Sequence, residues 1–87
     1  MYYVYVLLSG KDGNFYVGYT SDLRKRVIEH EKGQVASTKN RRPLQLIYYE
    51  ANRNQQDATT REKYLKSTYG RRYLRNRTKY DFGYFSE

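Results

Sequence analysis

Two short runs of β-branched and aromatic residues, Tyr2 to Leu8 and Phe15 to Tyr19, are separated only by Gly10-Lys-Asp-Gly-Asn14. Asp12-Gly13 between such runs is a strong local hairpin signal, because the glycine accepts the positive φ that a tight turn requires. The chain therefore begins as an antiparallel hairpin, and everything after it must cover that hairpin. Thr20-Ser21-Asp22 offers N-cap oxygens to a helix running to about Lys32, which Gly33 closes. Gln34 to Arg42 is polar and basic and reads as a loop. Pro43 then starts a third strand, Leu44 to Glu50. Asn54-Gln-Gln-Asp57 opens a second helix in the manner of a capping box. That helix is expected to run to about Thr68, to be interrupted by Gly70, and to be followed by a short helix over Arg71 to Arg77. The fold class is α+β: a three-stranded antiparallel β-sheet flanked by two to three α-helices, in the order β-β-α-β-α(-α). Residues 1–87 form a single domain on this reading, with no room for a separate substrate or regulatory domain.

Composition narrows the chemistry. With no cysteine, a disulfide scaffold, thiolate catalysis and cysteine-ligated zinc are excluded, and the single histidine, His30, excludes a histidine-cluster metal site. Any metal would sit on carboxylate and water oxygens. The longest apolar run, Tyr2 to Leu8, falls far short of the ~20 residues of a membrane helix. It also lacks the basic region and cleavage site of a signal peptide, so no membrane association and a cytoplasmic location are expected.

The net charge of +8 is unevenly placed. Segment 61–79 holds eight Lys/Arg (Arg61, Lys63, Lys66, Arg71, Arg72, Arg75, Arg77, Lys79) and one acid, Glu62; the rest of the chain is nearly balanced. Such a run is usually a solvated helix face. Interleaved Tyr64, Tyr69, Tyr73 and Tyr80 favour a polyanionic partner, since aromatics stack or pack beside phosphate-binding cations.

Helical wheels single out three polar residues. In the first helix Leu23 and Val27 define the expected core stripe, and Arg26 and His30, one turn apart, lie beside it. In the second helix Ala58, Leu65 and Tyr69 form the stripe and Glu62 falls within it. A carboxylate there requires a cation, a hydrogen-bond set or a metal. Each residue also has a plain structural reading: an Arg that snorkels to solvent, a packed His, a Glu paired with a nearby Arg or with tyrosines. Together they are able to converge on one sheet face. Alternation puts Tyr3 and Tyr5 on one face of the first strand and Tyr2 on the other, and Gly18 marks either a bulge or a close approach to the backbone.

These residues resemble a known family. Tyr3-Val4-Tyr5 and Tyr16-Val17-Gly18 resemble the two sequence halves that name the GIY-YIG endonuclease superfamily, with Tyr3 in place of the first glycine. Tyr19 to Arg26 is similar to the family's first-helix signature, with Arg26 at the catalytic arginine, and His30 stands one turn later, where many members have His or Tyr. Thr38-Lys39 with Arg41-Arg42-Pro43 resembles the loop of the small single-domain bacterial group. Arg61-Glu62-Lys63 resembles the second-helix segment whose Glu ligates the metal, and Asn76 is similar in place to a late asparagine of some members.

The resemblance implies a metal-dependent endonuclease that hydrolyses phosphodiester bonds in DNA, duplex or branched, in repair or recombination. It implies Glu62 as ligand to one Mg²⁺ or Mn²⁺ and Arg26 as the stabiliser of phosphoryl charge. Tyr16 or Tyr5 would be the base toward water, with His30 moving a proton or orienting a tyrosine. A free phenol near pKa 10 is poorly matched to that task unless its surroundings lower it. Lys39, Arg41, Arg42, Arg71, Arg72 and Arg75 are the expected contacts to nucleic-acid phosphates. The alternative is a nucleic-acid-binding module of the same fold that cleaves weakly or not at all.

Overall fold

The computed structural model describes residues 1–82, with side chains described through residue 79. Strands β1 (Tyr2–Ser9), β2 (Phe15–Thr20) and β3 (Leu44–Asn52) form one antiparallel sheet in the order β2-β1-β3. The hairpin forms as expected: Gly13 takes φ +71°, and Ser9 bonds across the turn to Asn14. Helix α1 (Leu23–Glu31) starts on Asp22, whose carboxylate accepts from the Lys25 N–H, and the chain leaves it through Gly33 at φ +75°. Gln34 to Arg42 is mostly loop, with a 3-10 turn at Lys39–Arg41.

Two-residue periodicity divides the sheet into two faces. Tyr5 and Leu7 pack with Tyr16, Leu23, Leu44 and Leu46 on the α1 side. Val4, Val6 and Val17 pack with Ala58, Leu65 and Leu74 on the other, under helices α2 (Gln55–Lys66) and α3 (Thr68–Phe82). Between Val6 and Leu7 the register to β3 slips by one residue, leaving Ile47 as the extra one. The irregularity is therefore in the β1/β3 ladder and not at Gly18, where β1 and β2 pair without a slip.

A polar network ties β3 to both helices of the second layer. Arg61 clamps Glu50 through two N–H···O bonds of 2.9 Å, Tyr48 donates to the same carboxylate, and Tyr48 and Tyr73 share a 3.1 Å hydroxyl contact. The Arg61 guanidinium also lies 5.0 Å from the Tyr73 ring centre and 5.2 Å from that of Tyr64. Burial raises the Glu50 carboxyl, but Arg61 and Tyr48 outweigh it and hold the group below its usual range. One cation of the basic segment is thus committed to the scaffold.

The second helix departs from the sequence reading. It ends at Lys66, and Ser67, not Gly70, makes the break. Ser67 takes an extended conformation, and its hydroxyl donates to the Tyr64 carbonyl at 2.6 Å while accepting from the Gly70 N–H at 3.2 Å. One serine closes α2 and caps α3, the use of serine at an N-cap. Helix α3 is consequently longer than the segment 71–77. Tyr69 belongs to it and is 69% exposed, so it is not part of the α2 stripe. Gly70 serves close approach. A Cβ there would run into the Tyr64 carbonyl and the Leu65 backbone, 2.7 Å from the Leu65 carbonyl carbon.

Ser67→Ala is expected to cost about 1 kcal/mol through the lost cap. Gly70→Ala is expected to cost about 1–3 kcal/mol, because two backbones must separate to admit one methyl. Urea denaturation of both variants against the parent measures this; a neutral Gly70→Ala would refute the packing argument.

Candidate active site

In the β1/β2 register Tyr5 lies opposite Gly18, and their side-chain positions share the α1 face of the sheet. Gly18 leaves that position empty, and the Tyr5 ring occupies it: a Cβ on Gly18 would overlap the Tyr5 hydroxyl and lie 2.8 Å from Cε1. The glycine of the second motif therefore lets a tyrosine of the neighbouring strand lean across β2 toward the edge of the sheet. Its hydroxyl there meets His30 Nε2 at 2.8 Å. His30 Nδ1 in turn meets Thr38 Oγ1 at 2.7 Å. Tyr5 is 1% exposed, and His30 and Thr38 are fully buried.

His30 is the one buried residue of α1. Leu23 and Val27, the expected core stripe, are only half-buried, and Ile28 is 40% exposed. The helix is thus anchored on a histidine more than on an apolar stripe. The wheel placed His30 beside the stripe, whereas in the structure His30 is the buried centre of that face, because the sheet reaches up to it through a tyrosine.

Electrostatics set the protonation states. Burial pushes the Tyr5 phenol up to about 12, against a counteracting hydrogen bond from Arg26. Burial, with Arg26 nearby, pushes the His30 imidazole down to about 4. Near neutral pH the pair is a phenol and a neutral imidazole. The Tyr5 and Thr38 hydroxyls bracket a neutral ring, one ring nitrogen donating and the other accepting.

Arg26 is held between Tyr5 and Glu29, whose carboxylate it meets at 3.1 Å. Its side chain stays 37% exposed and opens on a groove of about 260 Å³ with Tyr19, Thr20, Asp22 and Lys25. Tyr16 is half-buried. Its ring stands 5.2 Å from the His30 ring and 6.4 Å from that of Tyr5, and Ser37 Oγ donates weakly to its hydroxyl at 3.5 Å. Glu62 acts electrostatically on the Tyr5 hydroxyl from the other helix layer. It is not sealed in the core: its side chain is 21% exposed and is held by Lys66 at 3.1 Å, one turn along α2. Arg61, a candidate partner for it, is engaged by Glu50 instead.

Tyr5, Tyr16, Arg26 and His30 thus form one contiguous cluster, with Glu62 in electrostatic range. The basic residues are more dispersed. Arg41 pairs with Asp12 at 2.7 Å, and Arg42 donates to the Lys39 and Glu31 carbonyls beneath Gly33, so both have scaffold partners. Lys39 and Arg42 line a groove of about 610 Å³ with Lys11 and Glu31. Arg72 lies 5.9 Å from the Tyr69 ring centre on the outside of α3. Asn76 is exposed on α3 and, among the described residues, is not one of the groups touching Tyr5, Tyr16, Arg26 or His30. Sequence reasoning gave no role to Thr38, Ser37 or Glu29. A hydroxyl eight residues from its histidine has no periodic signal to reveal it.

Among the described residues no three His, Cys, Asp or Glu side chains converge to make an all-protein metal cage. Glu62 alone, partly exposed and tied only to a lysine that is 55% exposed, suits a cation that keeps most of its waters and shares substrate phosphate oxygens. That is the habit of Mg²⁺, so the donor set fits Mg²⁺ or Mn²⁺.

The His30 environment makes a testable demand. Its folded pKa lies below its unfolded value of about 6.5, so its neutral form contributes stability that is complete above pH 6.5 and is lost as pH falls toward 4. The loss is on the order of 3 kcal/mol across that window. Urea midpoints are expected to drop between pH 7 and 4.5 in the parent and much less in His30→Gln; parallel profiles would contradict a buried neutral imidazole.

Comparison with known proteins agrees with this geometry. Residues 1–79 match the family model of the GIY-YIG catalytic domain. The chain is 43% identical over 67 residues to a UPF0213 protein of Staphylococcus saprophyticus, covering 76% of this chain and 80% of that one. It is 50% identical over 66 residues to a UPF0213 protein of Pediococcus pentosaceus, covering 75% and 68%. The solution NMR structure of a UPF0213 protein from Bacillus halodurans is similar at 33% identity and a TM-score of 0.54, covering 85% of this chain and 82% of that one. With the tyrosines of both motifs, the glycine of the second and the arginine of α1 set around one histidine, the chain belongs to the GIY-YIG family of nuclease domains, alongside the UPF0213 proteins.

Proposed function

We propose that this protein is a metal-dependent endonuclease that hydrolyses phosphodiester bonds in DNA. The observation carrying the reading is the convergence of Tyr5, Tyr16, Arg26 and His30 at the β2 edge. Hydrolysis of a phosphodiester needs a deprotonated water, neutralisation of the phosphoryl oxygens and a proton for the leaving oxygen. Arg26, fixed on one side by Tyr5 and on the other by Glu29, presents its guanidinium to the phosphoryl oxygens. Glu62 would hold Mg²⁺, which when bound would supply charge stabilisation and acidify water. Lys66, more than half exposed, is the partner a cation on Glu62 would replace.

The two tyrosines divide the work. Tyr5, sealed and pushed up to about 12, stays a phenol and orients Arg26 and His30. Tyr16, half-buried with its hydroxyl accepting from Ser37 Oγ, acts as a phenolate that takes the proton of the attacking water, and the leaving oxygen takes its proton from solvent in the open groove. The open geometry around Arg26 suits a polymer that lies across the β2 edge better than a small molecule that must be enclosed.

Nicking of supercoiled plasmid with Mg²⁺ is the decisive measurement. Arg26→Ala and Glu62→Ala are each expected to lower the rate at least ~10²-fold, and Tyr16→Phe by about 10²- to 10⁴-fold, with circular dichroism unchanged. Equal nicking by parent and variants would place the chemistry elsewhere. DNA binding without nicking by the folded parent would leave a binding module.

A further inference from the structure

At the start of β2, away from Tyr5 and Arg26, the hairpin tip and α3 enclose a pocket of about 320 Å³ lined by Asp12, Gly13, Asn14, Phe15, Arg41, Arg71 and Arg75. Three of these side chains are guanidinium groups brought from two distant parts of the chain. Arg71 and Arg75 stand one turn apart on α3, exposed at the border of the same face that buries Leu74 and Thr78. Arg41 arrives from the loop before β3. It grips Asp12 through Nε at 2.7 Å and Nη2 at 3.2 Å, and donates to the Asn14 carbonyl at 3.2 Å. That pairing holds the Asp12 carboxyl down at about 2, so Asp12 and Arg41 cancel. The charge left to the pocket is that of Arg71 and Arg75.

We propose that this pocket is a second phosphate-binding subsite, separate from the site of cleavage, in which Arg71 and Arg75 hold one phosphate group of the nucleic acid. The proposal rests on the nucleic-acid reading above and adds the place and the residues. Two forked guanidiniums on one helix face supply the geometry that phosphate oxygens favour. The strand run from Gly18, beneath the Tyr5 hydroxyl, to Asn14 at the pocket is about 13 Å at strand rise. It corresponds to at most about four nucleotides of duplex axis. The loop that carries Arg41 also carries Ser37 to Tyr16 and Thr38 to His30, so one segment registers the pocket against the reacting centre. Arg72, pointed toward Tyr69, and Lys39 and Arg42, in a different groove, lie outside the subsite.

The phosphate reaching the pocket is either an internal backbone linkage or a strand-terminal phosphate, and two measurements in EDTA separate these. First, inorganic phosphate is titrated into the protein while the arginine Nε–Hε signals are followed by NMR. Saturable shifts at Arg71, Arg75 and Arg41 are expected, lost in Arg71→Ala/Arg75→Ala and kept in Arg72→Ala, which removes like charge outside the pocket. Absence of saturable shifts, or their persistence in the double variant, overturns the proposal. Second, affinity is measured for duplexes carrying one uncharged methylphosphonate linkage at successive positions, with and without a 5′-phosphate. One neutralised linkage is expected to weaken the parent about five- to tenfold and the double variant less than twofold; coupling to the 5′-phosphate instead assigns the terminal source. Coupling at neither overturns the subsite. Absent nicking by the parent would sink the nuclease reading alone, since neither measurement depends on turnover.

Discussion

The hydrogen-bonded line from Tyr5 through His30 to Thr38 is the interaction on which the rest of the structure depends. It joins β1, α1 and the following loop in a region with little exposure, where an unpartnered hydroxyl or imidazole would be costly. Ordinary apolar packing holds the other face of the sheet. On the α1 face the helix offers no fully buried aliphatic residue, and the polar line takes that place. The residues of the two motifs and of α1 that meet there are therefore also part of the scaffold.

Gly18 makes this arrangement possible. Any side chain at its position would occupy the space of the Tyr5 phenol and push the hydroxyl away from Nε2. The two halves of the motif, on neighbouring strands, are thus one device: a tyrosine on one strand and a void on the next. The same logic recurs at Gly70, where a missing Cβ lets α3 begin against the last turn of α2. Close backbone approach at these two glycines sets how β1 leans over β2 and how α3 starts on α2.

The basic segment 61–79 has several tasks. Arg61 fastens β3 through Glu50, and Lys66 holds Glu62 along the helix. Arg71 and Arg75 face the hairpin tip, and Arg72 faces outward over Tyr69. Net charge by itself describes an attraction to polyanions. The partition of these cations between ion pairs and an open pocket is what gives the attraction a geometry.

Local chemistry was legible in the sequence because it acts over a few residues. Asp12-Gly13 specified the hairpin, Asp22 and Asn54 the starts of two helices, and alternation the face shared by Tyr3 and Tyr5. Tyr5, Tyr16, Arg26 and His30, which the structure brings together, were legible as candidates from the family resemblance and the helical wheels. Ser67 was missed because a serine that ends one helix and caps the next looks, in sequence, like any other polar residue, whereas glycine attracts attention as a breaker. The Tyr5–His30–Thr38 line, the commitment of Arg61 to Glu50 and the meeting of Arg71 and Arg75 with the hairpin tip were decided only in three dimensions. Each joins residues whose separation is set by how α1, the loop and α3 pack on the sheet, and no periodicity in the chain encodes that packing.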